Sequence, residues 1–206
     1  MKHDFFAATA EFAEQLFKLI ELPRYDDSNR LLVSDIACSL SFDHWSAVLK
    51  LLQEALLPSA VVVHRAQFEA LLRSIWVFYA ASEEQLGKLS TQLNHETEQA
   101  AKNLPQVADM MAALKEKGPA KVHDALTRFK DNSWKALNSF AHAGNHPIRR
   151  HADGYQPTLI ESIARNANGL AVIAAMQAAV LGGAQPLQRQ ILDLAAKYPA
   201  CMSPLI

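Results

Sequence analysis

The segment Pro58–Ala81, PSAVVVHRAQFEALLRSIWVFYAA, decides the fold class of this chain. Its apolar residues cover almost every face of a helix instead of forming one stripe, and Pro58 suits the first turn of a helix. A helix that is apolar all round is buried, with other helices packed around it. The segment therefore predicts an all-α protein with a buried central helix.

The positions of glycine and proline predict where the surrounding helices begin and end. The chain has only 7 Gly and 9 Pro in 206 residues, and most of them lie at helix boundaries. Ser41 or Asp43 is expected to cap a new helix, and Ser82 with Gln85 is typical of a capping box. Residues 158–181 form a second buried helix, whereas residues 144–157 are the least helical segment. We expect a single domain over residues 1–206, a bundle of about seven or eight helices.

Composition excludes several classes of protein. A chain that is 50% hydrophobic is not disordered, and a net charge of −1 excludes a protein that binds nucleic acid with its whole surface. Two cysteines make neither a disulfide framework nor a metal set, which favours a reducing compartment. The N-terminus lacks the pattern of a signal peptide, and the most apolar stretch, residues 170–181, falls short of the ~20 residues that cross a bilayer. We expect a cytoplasmic protein without a membrane segment.

An ionic stripe runs along the central helix. Arg65, Glu69 and Arg73 are spaced four residues apart, so they lie along one face, and Glu69 can pair with either arginine. Charges on a core helix must line a polar seam, a cleft or an interface, because unpaired burial is costly. Two interpretations stay open. The stripe is a structural brace, or it is an anion site in which Glu69 orients an arginine.

A second polar cluster follows, in residues 138–155. Asn138 and His142 share one face at the end of a helix, which Gly144 can cap in the left-handed conformation. Arg149 and Arg150 come soon after, and Lys121–His151 has six Lys or Arg against two Asp, a net charge of +4. The segment predicts either a phosphate site with His142 as an acid–base group, or a connection whose charges serve helix ends.

The sequence contains no motif that is typical of cofactor or metal binding. The sequence has no metal-ligand spacing, phosphate loop, glycine-rich dinucleotide turn or nucleophile elbow. We therefore expect neither a metal nor a cofactor.

The same segments resemble a family of uncharacterised, all-helical bacterial proteins. The resemblance rests on Pro58–Trp76, on Asn138–Gly144 with the residues to Arg150, on Gly154-Tyr155, and on Asn166-Ala-Asn168. More distantly, the helical layout is similar to the HEPN group of nucleotide-binding bundles. Many of that group are metal-independent ribonucleases, whose signature is an Arg and a His with four to six residues between them, assembled across a dimer. Here the nearest basic residue is Lys135, seven residues before His142, and lysine lacks the planar guanidinium.

Two functions fit these observations. In the first, the protein binds RNA or a nucleotide phosphate in a cleft lined by Arg65, Glu69, Arg73, Asn138 and His142. Arg149 and Arg150 extend that cleft, and His142 is the catalytic group if the protein is an enzyme. In the second, the chain is a non-enzymatic interaction module, a homodimer in which the ionic stripe is structural.

Overall fold

A computed structural model describes residues 2–92 and 104–203, with side chains from residue 5 onward, and within these ranges the chain is helical and has no strand. The helices are α1 (Lys2–Ile20), α2 (Asn29–Gln53), α3 (Leu57–Tyr79), α4 (Glu83–Ser90), α5 (Val107–Lys117), α6 (Ala120–Ala141), α7 (Asn145–Asp153), α8 (Pro157–Leu181), α9 (Leu187–Lys197) and a 3-10 turn (Pro199–Cys201). The all-α prediction is confirmed, with somewhat more helices than expected.

Helix α3 is the centre of the bundle. It packs against α2, α5, α6 and α8, and most of its apolar side chains, Trp76 among them, are buried. Helix α8 is also mostly buried. Both buried helices therefore lie where the sequence predicts them.

The predicted break near Ser41 is wrong, because α2 runs without interruption from Asn29 to Gln53. Ser28 caps this helix, with its side chain accepting a hydrogen bond from the Leu31 amide. Ser41 is buried in the middle of α2 and donates its hydroxyl to the Gln67 carbonyl of α3, at 3.1 Å. The residue that resembles a cap is thus a link between two helices.

Residues 144–157, which the sequence marks as the least helical segment, contain a helix, because residues 145–153 form α7. Gly144 is its N-cap, and Gly154 ends it with φ 83°. Pro147 falls in the first turn, where a backbone N–H has no partner within the helix, so proline costs little there. The glycines and the proline bound a short helix instead of preventing one.

The capping box at Ser82 is confirmed, with both reciprocal hydrogen bonds to Gln85 present. The helix that follows ends at Ser90. The polar sequence after Ser82 predicts a helix to about Asn103, and residues 93–103 of that prediction lie outside the described ranges.

Buried polar side chains hold the helices in register. Asn168 of α8 accepts a hydrogen bond from Trp45 Nε1 of α2 and donates one to the Cys201 carbonyl, each at 2.9 Å. Gln67 of α3 donates to the Ala167 carbonyl of α8 at 2.9 Å. Because each of these groups is almost fully buried, losing its partner costs about 1–3 kcal/mol. Asn168, part of the family-like pattern, therefore has a structural role.

His64 is a buried, neutral histidine. Its Nδ1 lies 2.9 Å from Oε1 of Gln67, and because Nε2 of Gln67 donates elsewhere, this Oε1 must accept. Nδ1 therefore carries the proton, and Nε2 is left as a buried acceptor without a partner in the described part of the chain. Burial lowers the pKa of His64 to about 4, against a smaller opposing effect of the Gln67 hydrogen bond.

No helix in the described part of the chain has the length and hydropathy needed to cross a membrane.

His64 makes the stability of the fold depend on pH. An unfolded histidine takes up its proton near pH 6.5 and the folded one near pH 4, so the unfolded state binds the proton first. The stabilising contribution of the buried, neutral His64 is complete above pH 6.5 and is lost as the pH falls to about 4. We expect it to change the free energy of unfolding by up to about 1.4 kcal/mol per pH unit in this window.

Denaturant unfolding at several pH values, on the wild type and on His64→Met, measures this contribution. The variant removes the titrating group, so its free energy of unfolding should vary less steeply with pH between about 4 and 6.5. Equal slopes for the two proteins would contradict the assignment.

Candidate functional site

The candidate site lies where the N-terminal half of α3 meets the C-terminal end of α6. These two helices run antiparallel, with Phe68 stacked on Phe129 and Arg65 beside Trp134. At the end of α6, Nε2 of His142 lies 3.5 Å from Nη1 of Arg65. Residues separated by 77 positions in the sequence thus form one polar cluster.

Arg65 is held from two sides. Its Nε donates to Oε1 of Glu69 at 2.8 Å, and its guanidinium carbon lies 5.0 Å from the centre of the Trp134 ring. The Glu69 bond uses one edge of the guanidinium and the ring fixes its plane, which leaves the terminal N–H groups on the side of His142. Arg65 is therefore an oriented donor at the protein surface.

The stripe is only partly buried. The side chain of Arg65 is 24% exposed and that of Glu69 is 40% exposed, and His142 is exposed. Solvent therefore reaches the pair, and a ligand can reach Arg65 and His142 without any rearrangement of the core. A partly exposed pair of this kind adds little to stability.

Arg73 lies apart from the Arg65–His142 contact. Its guanidinium stands 5.4 Å from the centre of the Trp76 ring, and its Nη1 is buried without a hydrogen-bond partner in the described residues. Burial lowers the pKa of Arg73, and the nearby charge of Glu69 partly opposes this. Glu69 makes its ion pair with Arg65 and influences Arg73 only at longer range.

Asn138 lies one turn before His142, and its carbonyl accepts the His142 amide at 3.1 Å. Its side-chain Oδ1 is buried and has no partner among the described residues. The geometry thus places Asn138 next to the cluster without a side-chain contact to His142.

A Schellman motif ends α6 just after His142. The amide of Gly144 donates to the Ser139 carbonyl at 2.7 Å, and Ala143 adopts φ 48°. The prediction that Gly144 takes the left-handed conformation is wrong, because Ala143 takes it. A Cβ at Gly144 would lie 2.7 Å from Oγ of Ser139, so a larger residue there would displace the Ser139 side chain.

Arg149 and Arg150 lie on α7, beyond this turn. Both are exposed; Arg149 lies 3.6 Å from Asp153, and Arg150 has no ion-pair partner in the described part of the chain. The Ser139 side chain holds the start of α7 in place, because its Oγ accepts a hydrogen bond from the His146 amide at 3.1 Å. The two arginines therefore form a basic surface on the helix that follows His142, and no contact joins them to Arg65.

The basic segment predicted from the sequence is divided between two places. His142, Arg149 and Arg150 follow the end of α6, but Lys121 and Arg128 line a groove between α6 and α8. Net charge along a sequence does not show this division, since successive residues of a helix point to different neighbours.

Trp134 is the residue of this site that the sequence interpretation missed. It precedes Asn138 and His142 at the same four-residue spacing, so the three share one face of α6. Extending that pattern by one turn would have identified it.

Metal and thiol chemistry have no support in the described residues. Within residues 2–92 and 104–203, no group of three or more His, Cys, Asp or Glu side chains is placed to hold a metal ion. Cys38 is buried, and burial raises its pKa to about 12, so it stays a thiol at neutral pH.

These features define an all-helical protein with a small Arg–Glu–His surface site. A family model described as a family of unknown function (DUF6988) matches residues 38–204, and the chain belongs to this family. No curated protein matches the chain, and no solved structure does.

Glu69→Ala measures whether the stripe is a brace. Since the pair is partly exposed, we expect the free energy of unfolding to fall by less than about 1 kcal/mol in denaturant titrations. Glu14→Ala is a matched control, because Glu14 and Lys18 form an exposed pair with the same spacing on α1. A loss of several kcal/mol for Glu69→Ala alone would mean that the stripe is a structural brace.

Proposed function

We propose that this protein binds RNA or a nucleotide through phosphate groups at the Arg65–His142 site. The contact between Nη1 of Arg65 and Nε2 of His142, at 3.5 Å, carries the proposal. A guanidinium and an imidazole that converge from two helices, at the surface, offer N–H donors to one anion. Arginine matches the geometry of phosphate oxygens well.

The arrangement around Arg65 supports this function. Glu69 and Trp134 hold the guanidinium in place, so little conformational entropy is lost when a ligand binds. Arg149 and Arg150 give the adjoining helix a positive surface, which favours approach of a polyanion. Because the net charge of the whole chain is −1, such binding needs a local positive surface of this kind.

The distant resemblance to HEPN bundles suggests the chemistry that such a site performs. In that group an arginine and a histidine act together near a phosphodiester. Here the arginine comes from α3 instead of from a position just before His142. In a catalytic site His142 is the acid–base group, and Arg65 stabilises the charge that develops on the phosphorus oxygens.

Fluorescence anisotropy with labelled single-stranded RNA tests binding, with ATP and inorganic phosphate as competitors. We expect Arg65→Gln to weaken RNA binding at least tenfold, since a charge-assisted hydrogen bond contributes about 1.5–3 kcal/mol. Arg189→Gln removes the same charge from an exposed pair on α9 and is the control. Equal affinities for the two variants would contradict the site.

RNA cleavage in EDTA separates an enzyme from a binding protein. A catalytic site predicts that wild type cleaves and that His142→Ala does not. If wild type leaves varied RNAs intact while Arg65→Gln still weakens binding, the site binds RNA without cleaving it.

A homodimeric interaction module is a second candidate function, favoured by an apolar stripe on α2. Leu32, Ile36 and Leu40 are spaced four residues apart on one face and are 36%, 59% and 45% exposed. A row of exposed aliphatic side chains on one helix is typical of a helix-pairing surface.

Sedimentation velocity over a range of concentrations tests this candidate. Ile36→Glu places a charge in the middle of the stripe and should convert a dimer to a monomer. Ile148→Glu, a change of an exposed isoleucine on α7, should leave the dimer intact. A wild-type protein that stays monomeric at all concentrations would exclude this function.

A further inference from the structure

A groove runs between α6 and α8, and none of the residues that line it belongs to the Arg65–His142 site. Both helices pack on α3, but their backbones come close to one another at few points. Helix α9 packs on α8 and adds a second wall through Leu192, Ala195 and Ala196. The space between the helices has a volume of about 810 Å³, which falls in the range of small-molecule sites.

The floor of the groove is apolar. Two smaller cavities adjoin it, since Ala125 and Ile173 line all three spaces. Val172 and Met176 continue the floor along α8. Because Ala125 has a short side chain, it leaves a channel open beside it between the two helices.

The groove has a polar end, where it adjoins a cavity of about 60 Å³. Arg128, Asn132 and Asn166 line this cavity, and Arg128 lines the main groove as well. The part of α8 from Asn166 to Met176 spans ten residues, or about 15 Å along the helix axis. The polar end and the apolar floor together match a ligand with a polar head and one long apolar chain.

The charged residues around the groove indicate that the polar head of the ligand is anionic. The charged residues that line the main groove are Lys121, Arg128 and Arg165, all of them cations. Arg165 is engaged by Glu161 and by the Ala200 carbonyl, whereas Arg128 has no ion pair in the described part of the chain. An uncommitted guanidinium beside two amide side chains is suited to a carboxylate or a phosphate.

We propose that the groove between α6 and α8 binds a single-chain amphiphile with an anionic head. The head lies at Arg128, Asn132 and Asn166, and the apolar chain lies along Ile173, Val172 and Met176. This site is separate from the Arg65–His142 site and does not depend on the function proposed for it.

Isothermal titration calorimetry with decanoate, decyl phosphate and decyltrimethylammonium tests the head and the chain. We expect both anions to bind, the cation to bind at least tenfold more weakly, and butyrate not to bind. Equal binding of the cation and the anions would overturn the proposal, since it would show adsorption to an apolar surface without a head-group site. Failure of decanoate and decyl phosphate to bind would overturn it as well.

Variants locate the ligand in the groove. Arg128→Gln should weaken decanoate binding at least fivefold, and Lys135→Gln, which removes the same charge elsewhere on α6, should leave it within twofold. Ala125→Phe should fill the channel and abolish binding, with folding checked by circular dichroism. If Ala125→Phe does not fold, Leu192→Gln replaces an exposed wall residue and should weaken binding severalfold.

Other occupants give different results. Binding to anionic phosphatidylglycerol vesicles without binding of soluble decanoate would make the groove a membrane contact and would overturn the proposal. A dimer that Ala125→Phe dissociates, in a protein that ignores decanoate, would make the groove a self-association surface and would overturn it too.

Discussion

The cost of removing polar groups from water on α3 shapes the whole bundle. Helices on several sides surround α3, so a buried polar group on it is costly unless it finds a hydrogen-bond partner. Gln67 meets this requirement with the Ala167 carbonyl of α8, and its own carbonyl accepts the hydroxyl of Ser41 in α2. These bonds have fixed directions, so they set the register of the two helices that carry most of the remaining core.

The candidate site lies where this burial is incomplete. On the N-terminal half of α3, Arg65 and Glu69 reach solvent and satisfy each other, while Trp134 of α6 supplies a surface for the guanidinium. Helix α6 ends one turn beyond Asn138, and its terminal His142 completes the cluster. Packing of α3 on α6 therefore positions the site, and the Glu69 bond orients its arginine.

The groove follows from the same packing. Helices α6 and α8 both bury one face on α3, and Ala125 is too short to close the space between them. Lys121 and Arg128, which belong to the basic segment in the sequence, line this space and so lie at a second location. One helix, α6, thus contributes to two separate surfaces through different faces.

The sequence alone determined the features that depend only on residues within a few helical turns of one another. The all-round apolar pattern of residues 58–81, the capping box at Ser82 and the pairing of Glu69 with an arginine one turn away are local, and they were predictable; which arginine pairs was not. Ser41, Pro147 and Gly144 misled the prediction because the same residue types serve as caps, in first turns, or as links between helices. Only the tertiary structure decided that His142 meets Arg65 and that Arg128 faces a groove, because the approach of distant helices depends on how every buried face packs at once.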